Sequence, residues 1–426
     1  MRGMAEPALA AQRRRLTQDE VDAICARHDR LWQARPGGAR AVFAWCDLSG
    51  LRLRGRNLAD ADFAAACLIG CDLTGARLDN ANFFGADMQD AILVDASLKR
   101  ADLRGSCLRG ADLTGADLFE ADLREGTIAA ADAERGFRVI EAQSTRHDTE
   151  ATGASLIGAN LQRAKLSGVV AVKADFTDAV MKDCKLVRAN LKAASFRGAD
   201  LAGADLSGAD LSGADLRDAV LVGVKAAMWR TDGAKLEGAL TDEKPAGAPV
   251  SKMPAAEMLS EHALWCETDG AQGKPSVFDG VDLRPLKSIK GYNLTALSAK
   301  GAVFYGLDME GVKLQGAHLE GADLRGVDLR RADLRGARLA RARLNGSDLR
   351  EAHLGPLMLS GDRLLSADLT EASLRGCDLS GADLRRANLS RADLSRARLH
   401  GAQLRGAELA GASLTGAAGI VEEARP

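Results

Sequence analysis

A five-residue period runs through most of this chain, and a repeat this short constrains the fold before any single residue is considered. Its clearest stretch, Ala199 to Leu211, reads ADLAGADLSGADL. Each unit has a large apolar residue at its centre, alanine two residues earlier and usually aspartate or asparagine one residue earlier. In an extended chain, residues two apart share a face, so the alanine and the leucine point the same way and the aspartate points the other way.

A straight strand cannot carry an odd period, because every second leucine would point to the opposite side. A helix fails as well, since five steps of about 100° rotate the leucine by about 140°. The chain must therefore bend once per unit. The glycine two residues after the leucine, as at Gly203, Gly208 and Gly213, supplies the permissive backbone. The period predicts a coiled ribbon with one apolar set inside.

The units form three blocks, with centres every five residues from Leu48 to Ile128, from Leu156 to Leu221 and from Leu294 to Leu414. This pattern resembles the pentapeptide-repeat family. The resemblance implies an all-β solenoid, a right-handed quadrilateral β-helix with one unit per side, in which each coil adds about 4.8 Å. Stacked leucine, phenylalanine and small residues are then expected to fill the axis and to leave no room for a ligand.

Composition adds limits on partners and location. The formal net charge of −2 predicts no strong attraction to nucleic acid or to an anionic membrane. No window approaches the roughly 18 apolar residues of a membrane span. Residues 1–45 lack the apolar stretch of a signal peptide. We therefore expect a cytoplasmic, bacterial protein with no membrane partner and no nucleic-acid partner.

Two segments read as short helices that precede repeats. Thr17 to Glu20 forms a capping-box pattern before an apolar helical stripe, and similar spacing returns from Met258. Such a helix can cover the exposed end of a solenoid, so we predict two modules, each with a capping helix. His28 and His262 lie on or beside these stripes and are interpreted as packed, hydrogen-bonded residues. The expected divisions are 1–45 (tail and capping helix), 46–241 (first solenoid), 242–257 (linker), 258–290 (second capping helix and lead-in), 291–418 (second solenoid) and 419–426 (tail).

The first solenoid is interrupted near 132–152, where the phase of the repeat shifts. Phe137 and Arg138 lie in this segment, which we expect to project as a hairpin or loop. Insertions on a regular scaffold often carry the function, and both residues are therefore candidates for an interaction surface. A tolerated insertion without a role remains the alternative.

The sequence offers no evident catalytic constellation. Its six histidines are scattered, and it contains no phosphate-binding loop, no nucleophile elbow and no zinc-spaced set of cysteine and histidine. Cys67 and Cys71 are four apart, which places one outward and one inward in this register. We therefore expect no enzyme activity, no cofactor, no metal and no small-molecule substrate.

Residues 20 apart are expected to stack on one side of a four-sided coil. One such column in the third block predicts an acidic stripe about 24 Å long, at about 4.8 Å per coil. The plain alternative is that aspartate is the repeat's consensus and only hydrates the surface. The column reads Asp308, Asp328, Asp348, Asp368, Asn388 and Glu408, with Arg330, Arg331 and Arg350 as partial compensation.

The pattern falters around Gly355 and Pro356, where Asp362 occupies the inward slot before Leu364. A carboxylate buried there would be costly, and its pKa would be raised. The expectation is a local distortion that turns Asp362 outward.

The function predicted from these features is a non-catalytic scaffold that binds an unidentified protein partner. The resemblance implies an alternative, because some pentapeptide proteins bind DNA gyrase and imitate duplex DNA with an acidic surface. A homodimer through the C-terminal coil is also expected, since Leu409 and Leu414 lie in a final coil without a covering helix. The competing arrangement is a plug formed by Ile420.

Overall fold

The fold was examined in a computed structural model, which describes residues 13–127, 129–132, 136–139, 146–243, 254–359 and 363–420. The chain divides into two compact units, Met1–Asp242 and Glu243–Pro426. Each unit has its own hydrophobic core. The units are therefore described one at a time.

Both units consist of coils whose residues pair in parallel with residues 20 positions further along the chain. Asp205 pairs with Lys225 in this way. The Leu206 N–H donates to the Lys225 carbonyl at 2.8 Å, and the Lys225 N–H donates to the Ala204 carbonyl at 2.9 Å. Four five-residue units thus complete one coil, as the sequence pattern predicted. Because only one residue per unit takes part in each bridge, long strands are absent from the described coils.

The bend between units is a hydrogen-bonded turn. The Ala204 N–H donates to the Leu201 carbonyl at 2.9 Å, which closes a four-residue turn. Its third residue, Gly203, has a φ of 70°. A positive φ at this position is typical of a type II turn. Arg331 occupies the equivalent position with a φ of 55°, so glycine is favoured there but is not required.

The axis of each unit is filled by side chains. The centres Leu206, Leu211 and Leu334 are all fully buried. Phe43 and Phe63 stack with ring centroids 5.0 Å apart, and Phe63 and Phe83 stack at 4.7 Å. These distances match the separation of neighbouring strands, which confirms the expected rise of each coil. The described core is a packed column.

The first unit begins with β1 (Arg14–Arg15), which pairs in parallel with β2 (Cys46–Asp47). Helix α1 (Gln18–Trp32) follows β1 in the chain and has the predicted capping box. The Thr17 hydroxyl accepts from the Glu20 N–H, and the Glu20 carboxylate accepts from the Thr17 N–H at 2.9 Å. Val21 and Cys25 of this helix are buried in the core of the first unit.

The second unit contains helix α2 (Ala255–Glu267), so this helix begins inside the segment interpreted as a linker. Leu259 of α2 is buried in the core of the second unit. A short 3₁₀ helix (Arg284–Leu286) follows in the first coil. Of the linker 242–257, most residues lie outside the described part of the chain.

The histidines of α1 and α2 are packed and hydrogen-bonded, as interpreted from the sequence. His28 Nδ1 accepts from the Ala41 N–H at 3.0 Å, and His262 Nδ1 accepts from the Ser276 N–H at 3.0 Å. Both histidines are about 1% exposed. Burial lowers the pKa of His28 and of His262, because the charged imidazolium loses its hydration.

The interruption of the first unit is a hairpin, and it begins earlier than the sequence analysis placed it. Its strands are β3 (Gly126–Thr127), β4 (Ala129–Asp132), β5 (Gly136–Val139) and β6 (Arg146–His147). β3 pairs with β6 and β4 pairs with β5, both antiparallel. The coil then resumes at Glu150, which pairs with Cys107. Ala151, which is 3% exposed, is therefore the first centre of the second block, ahead of Leu156.

The second unit contains a second hairpin, which the sequence analysis described only as a faltering pattern. Its strands are β7 (Leu357–Met358) and β8 (Leu364–Leu365), which pair antiparallel. Leu359 and Leu364 fall on the five-residue count but are 39% and 42% exposed, so they are not core centres. Asp362 lies outside the described residues.

The last coils of each unit are less tightly filled than the others. In the first unit the ladder continues beyond Leu221 to the Val220–Leu240 bridge. In the second unit Leu409 and Leu414 are only partly buried, and Ile420 packs against the same core. No helix in the described ranges is long and apolar enough to cross a membrane.

Candidate interaction surfaces

The predicted acidic column is broken into two parts on different sides of the coil. Asp308, Asp328 and Asp348 do pair in succession, but the next residue in this ladder is Asp378, followed by Arg398. The other predicted members belong to a separate ladder, which runs through His318, Arg338, Asp368, Asn388 and Glu408. A continuous stripe from Asp308 to Glu408 is therefore wrong.

The second hairpin causes this error. Arg338 pairs with Asp368, which is 30 residues further on, where undisturbed rungs of this ladder are 20 apart. The ten extra residues equal two repeat units, so they leave the five-residue phase intact. On a four-sided coil two units correspond to half a turn. Asp368, Asn388 and Glu408 consequently lie on the side opposite to Asp308 and Asp328.

The remaining acidic rungs are compensated by neighbouring cations. Arg330 donates to the Asp328 carboxylate at 2.6 Å, and Arg350 donates to the Asp348 carboxylate at 2.6 Å. The hydrogen bond from Arg330 lowers the pKa of Asp328, and the same bond raises the pKa of Arg330. This side of the coil is therefore a network of ion pairs rather than a negatively charged surface.

One cluster in this network has the donor set of a cation site. Carboxylate oxygens of Asp308, Glu310 and Asp328 lie within 4.8 Å of one another. Glu310 is 7% exposed and forms ion pairs with Arg331 and with Lys290, the latter at 2.5 Å. The two cationic side chains already supply the charge that a metal ion would bring. The cluster is accounted for by ion pairing, and we assign no metal to it.

Phe137 and Arg138 lie in β5 of the first hairpin. Arg138 is paired with Ala130 and Phe137 with Ala131. The side chains of this hairpin are outside the described part of the chain, so their proposed role in binding stays a prediction. Neither residue is brought together with the acidic rungs of the other unit.

A rule that the sequence analysis missed governs the charges of both units. Every Asp-Leu-Arg tripeptide forms a bidentate or near-bidentate ion pair between its own aspartate and arginine, with the arginine Nη2 2.5 to 2.8 Å from the carboxylate. The pairing follows from the turn, because residues on either side of a centre project outward next to each other. An arginine that follows a different residue lacks this built-in partner. The signal was available in the sequence as the residue two positions before each arginine.

The second hairpin leaves a groove in the side of the coil. The first position after a centre carries arginine at Arg335, Arg385 and Arg405, but glycine at Gly355, where the chain departs into the hairpin. A Cβ on Gly355 would lie 2.7 Å from Asp383 Oδ2, so the missing side chain opens the surface at this rung. The resulting groove has a volume of about 790 Å³. It is lined by Asp333, Arg335, His353, Pro356, Asp383, Arg385, Arg386, Arg405 and Gly406.

The charges of this groove do not cancel. Asp333 and Asp383 are each held by the arginine of their own tripeptide, at 2.7 Å and 2.8 Å. The hydrogen bond from Arg385 lowers the pKa of Asp383. Arg405 follows Leu404 and Gln403, so it has no tripeptide partner. Within the described ranges, no ion pair occupies the guanidinium of Arg405 or that of Arg386, and both residues are exposed.

An apolar hairpin tip lies beside this groove. Gly336 is buried beneath the hairpin, and a Cβ there would lie 2.9 Å from Leu365 Cδ2 and 3.1 Å from Leu357 Cβ. The hairpin is thus seated on the coil through its inner leucines. Met358, Leu359 and Leu364 face solvent with 72%, 39% and 42% exposure. Pro356 connects the two features, since it lines the groove and directly precedes the hairpin.

The first unit has a groove of similar size, about 770 Å³, but its charges are paired. Arg104 binds Asp102 at 2.7 Å, and Arg163 binds Glu120 at 3.0 Å. Asp183 also lines this groove. The groove beside the second hairpin is therefore the more strongly charged of the two.

Cysteine chemistry does not distinguish either unit. All eight cysteines are free. Burial raises the pKa of Cys184 and that of Cys377 to about 12, so neither thiol is a nucleophile near neutral pH. Both fill the inward small-residue slot, as the sequence predicted.

The repeat region matches the family model of pentapeptide repeats over residues 39–128, 148–223, 293–355 and 363–418. The match covers more than half of the chain, and both hairpins interrupt it. The chain belongs to the pentapeptide-repeat family. The family's right-handed β-helix is accordingly the fold of both repeat regions.

Solved structures of the same family were also found. HetL, a pentapeptide repeat protein involved in heterocyst differentiation regulation in the cyanobacterium Nostoc, is 24% identical over 92% of this chain and 97% of its own, with a TM-score of 0.14. QnrB1, a plasmid-mediated fluoroquinolone resistance protein, is 22% identical over 48% of this chain and 92% of its own, with a TM-score of 0.26. Rfr23 from the cyanobacterium Cyanothece is 24% identical over 33% of this chain and 91% of its own, with a TM-score of 0.19. No curated protein matches the sequence significantly.

Proposed function

We propose that this protein is a non-catalytic scaffold for protein–protein interaction, and that its hairpins mark the docking regions. The observation that carries the proposal is the interruption of an otherwise uniform coil at one defined position in each unit. The filled axis supports it, because a packed column offers no enclosed site for a substrate. Features that depart from a regular scaffold are frequently the functional ones.

Deletion of each hairpin tests this proposal, because the repeat specifies where to cut. Removing residues 356–365 joins Gly355 to Ser366 and restores an uninterrupted unit, Leu-Gly-Ser-Ala-Asp-Leu. Removing residues 126–148 joins Glu125 to Thr149 and places Ala151 five residues after Leu123. Both variants should keep the β-rich circular dichroism spectrum and the thermal transition of the intact chain.

The binding experiment compares three forms of the full chain as bait for cross-linking and affinity capture from the native organism. A partner that the intact chain retains, and that one deletion variant loses, supports the scaffold proposal. If no protein is retained in excess of a bovine serum albumin control, or if both deletions leave capture unchanged, the proposal that the hairpins mark docking regions is refuted.

Gyrase binding by partial DNA mimicry is the second candidate, and it receives less support. A DNA mimic needs a continuous line of negative charge, whereas the predicted column divides between opposite sides of the coil. Its acidic rungs are also paired with arginine. A DNA supercoiling assay separates the two candidates: inhibition by the intact chain at about micromolar concentration, where a tight partner would be saturated, would favour the gyrase candidate.

The division into two modules, each started by a capping helix, is part of the same proposal. Its support is that α1 and α2 each contribute buried residues to the core of their own unit. Two fragments, ending and beginning near Gly247, should therefore each be soluble and β-rich. An unfolded second fragment would contradict the modular arrangement.

Self-association through the last coil stays a prediction. The partly buried Leu409 and Leu414 support it, whereas the packing of Ile420 against the same core supports the plug arrangement. Sedimentation of the intact chain at several concentrations decides between them, and a concentration-independent monomer removes self-association.

A further inference from the structure

We propose that the groove beside the second hairpin binds a short acidic segment of a partner protein, with carboxylates on Arg386 and Arg405 and an apolar side chain on the hairpin tip. This inference rests on the proposed scaffold function and names the chemistry of one partner. Its evidence is the coincidence of uncompensated cations, an open rung and exposed apolar residues at one place in the fold.

The cations are available because of their sequence context. Arg335 and Arg385 are each held by their own aspartate, so they shape the groove without contributing free charge. Arg405 follows a glutamine instead, and its rung therefore lacks the usual carboxylate. The Arg386 N–H donates to the Arg405 carbonyl at 3.1 Å, which places the two arginines on adjacent coils. Their separation along the axis is then close to the strand spacing of about 4.8 Å.

This spacing suits an extended acidic peptide. Two arginines on neighbouring rungs can each take a carboxylate in a bidentate arrangement, which gives both charge and geometry. Extended peptides place alternate side chains about 6.6 to 6.8 Å apart on one face, within the reach of flexible arginines. His353 lines the same groove and can donate an additional hydrogen bond.

The apolar residues select a peptide over a bare anion. Met358, Leu359 and Leu364 are exposed on a hairpin whose inner leucines are seated on the coil. Methionine adapts its shape readily to different apolar partners. Asp333 and Asp383 line the groove as well, and they would repel a phosphate backbone that ran along it. The surface therefore favours an acidic segment that contains a leucine or another large apolar residue.

The test uses the intact chain and a defined probe, the fluorescein-labelled peptide Glu-Glu-Leu-Glu-Glu-Leu-Glu-Glu. Two comparison peptides replace every glutamate by glutamine or every leucine by serine. Fluorescence anisotropy should show binding of the first peptide, weaker binding of the serine peptide and the weakest binding of the glutamine peptide. The affinity should fall as salt is added, because exposed charges are screened.

A matched pair of variants locates the site. The test variant is Arg386→Glu with Arg405→Glu, and the control variant is Arg341→Glu with Arg197→Glu. Arg341 has a φ of 59° against 56° for Arg386, and Arg197 follows a serine two positions earlier, so each control residue shares the turn position of its counterpart. Both variants change the charge equally. The test variant should lose affinity by about tenfold or more, whereas the control should lose less than about twofold.

The hairpin contribution is tested by Met358→Ser with Leu364→Ser. Both residues are exposed, so thermal unfolding should not change. This variant should weaken the leucine-containing peptide and leave the serine peptide unaffected.

Several results would overturn the inference. These are an absence of peptide binding up to about 1 mM, an equal loss in the test and control variants, or binding of octathymidylate as tight as that of the peptide. The last result would assign the groove to phosphates. If a captured partner is still retained by the Arg386 and Arg405 variant but is lost on deletion of residues 126–148, the scaffold proposal stands and the groove proposal falls.

Discussion

The two hairpins interrupt the same kind of coil and differ in how they affect its sequence pattern. The first hairpin separates Cys107 from its partner Glu150 by 43 residues, against 20 in an undisturbed coil. The second separates Arg338 from Asp368 by 30 residues. The excess is 23 residues in one case and ten in the other. Only the first excess shifts the five-residue phase, because ten is a multiple of five.

This difference decides what a reader of the sequence can detect. A phase shift is visible as a change of register, and the first interruption was therefore predicted, although its limits were not. An insertion of two whole units keeps the register and moves every later residue to the opposite side of the coil. Any surface inferred by counting in twenties is then correct before the insertion and wrong after it, as happened with Asp368 and Glu408.

The largest expected effect tests which leucines after the interruption are core centres. Leu354 and Leu364 both fall on the five-residue count, but Leu354 is fully buried and Leu364 is 42% exposed. Leu354→Asp should destabilise the second unit by about 4 kcal/mol or more, because it buries an unpaired carboxylate. Leu364→Asp should cost less than about 0.5 kcal/mol.

Urea denaturation of the two variants measures this difference. Equal losses of stability would mean that the coil continues through Leu364, and the second hairpin would then be wrong.

The next effect concerns the seating of the second hairpin. Gly336 and Gly321 both have a φ of 67°, but only Gly336 lies under the hairpin, whereas a Cβ on Gly321 has no atom within 4 Å. Gly321→Ala should cost about 1 kcal/mol, from the left-handed backbone alone. Gly336→Ala should cost about 1 kcal/mol more, because the new methyl group meets Leu365 and Leu357.

Limited proteolysis provides the second measurement for this pair. The hairpin of the Gly336 variant should be cut faster than that of the Gly321 variant, since its contact with the coil is weakened. Identical cutting rates would contradict the seated arrangement.

A smaller effect tests whether the two units are alike outside their interruptions. His28 and His262 each accept a backbone hydrogen bond through Nδ1, and burial lowers both pKa values below the usual 6.5. The unfolded chain then binds the proton more readily than the folded one. The stabilisation is complete above about pH 6.5 and is lost as the pH falls through the lower folded-state pKa.

Thermal unfolding between about pH 7 and pH 5 measures this loss. His28→Gln and His262→Gln should each reduce the pH dependence, because glutamine cannot take up a proton in this range. A pH dependence that both substitutions leave unchanged would mean that other groups titrate on unfolding.

The smallest effect concerns the first interruption. Arg109 and Glu150, on either side of the hairpin in sequence, form an ion pair at 2.6 Å across adjacent coils. The Arg109 side chain is 54% exposed, so solvent screens most of the attraction. Arg109→Ala should change the free energy of unfolding by less than about 1 kcal/mol, as measured by urea denaturation. A larger loss would show that the pair, rather than the ladder of backbone hydrogen bonds, closes the coil after the hairpin.

Prediction from the sequence succeeded where neighbouring residues act on one another. The turn at Gly203, the burial of Leu206 and the capping box at Thr17 all depend on contacts within a few positions along the chain, and the structure confirms each of them. The ion pair within each Asp-Leu-Arg tripeptide is equally local. It could have been predicted and was missed, and with it the distinction between compensated arginines and Arg405.

The groove could not be predicted, because its parts come together only through the stacking of coils. Gly355, Arg386 and Arg405 lie in three different rungs, and their order on the surface depends on how many residues the hairpin removes from the ladder. The repeat by itself determined the coil, its rise and its packed axis, since each unit repeats the same local geometry. Only the tertiary structure decided which side of the coil each later residue occupies, because that depends on pairing between residues 20 or more apart.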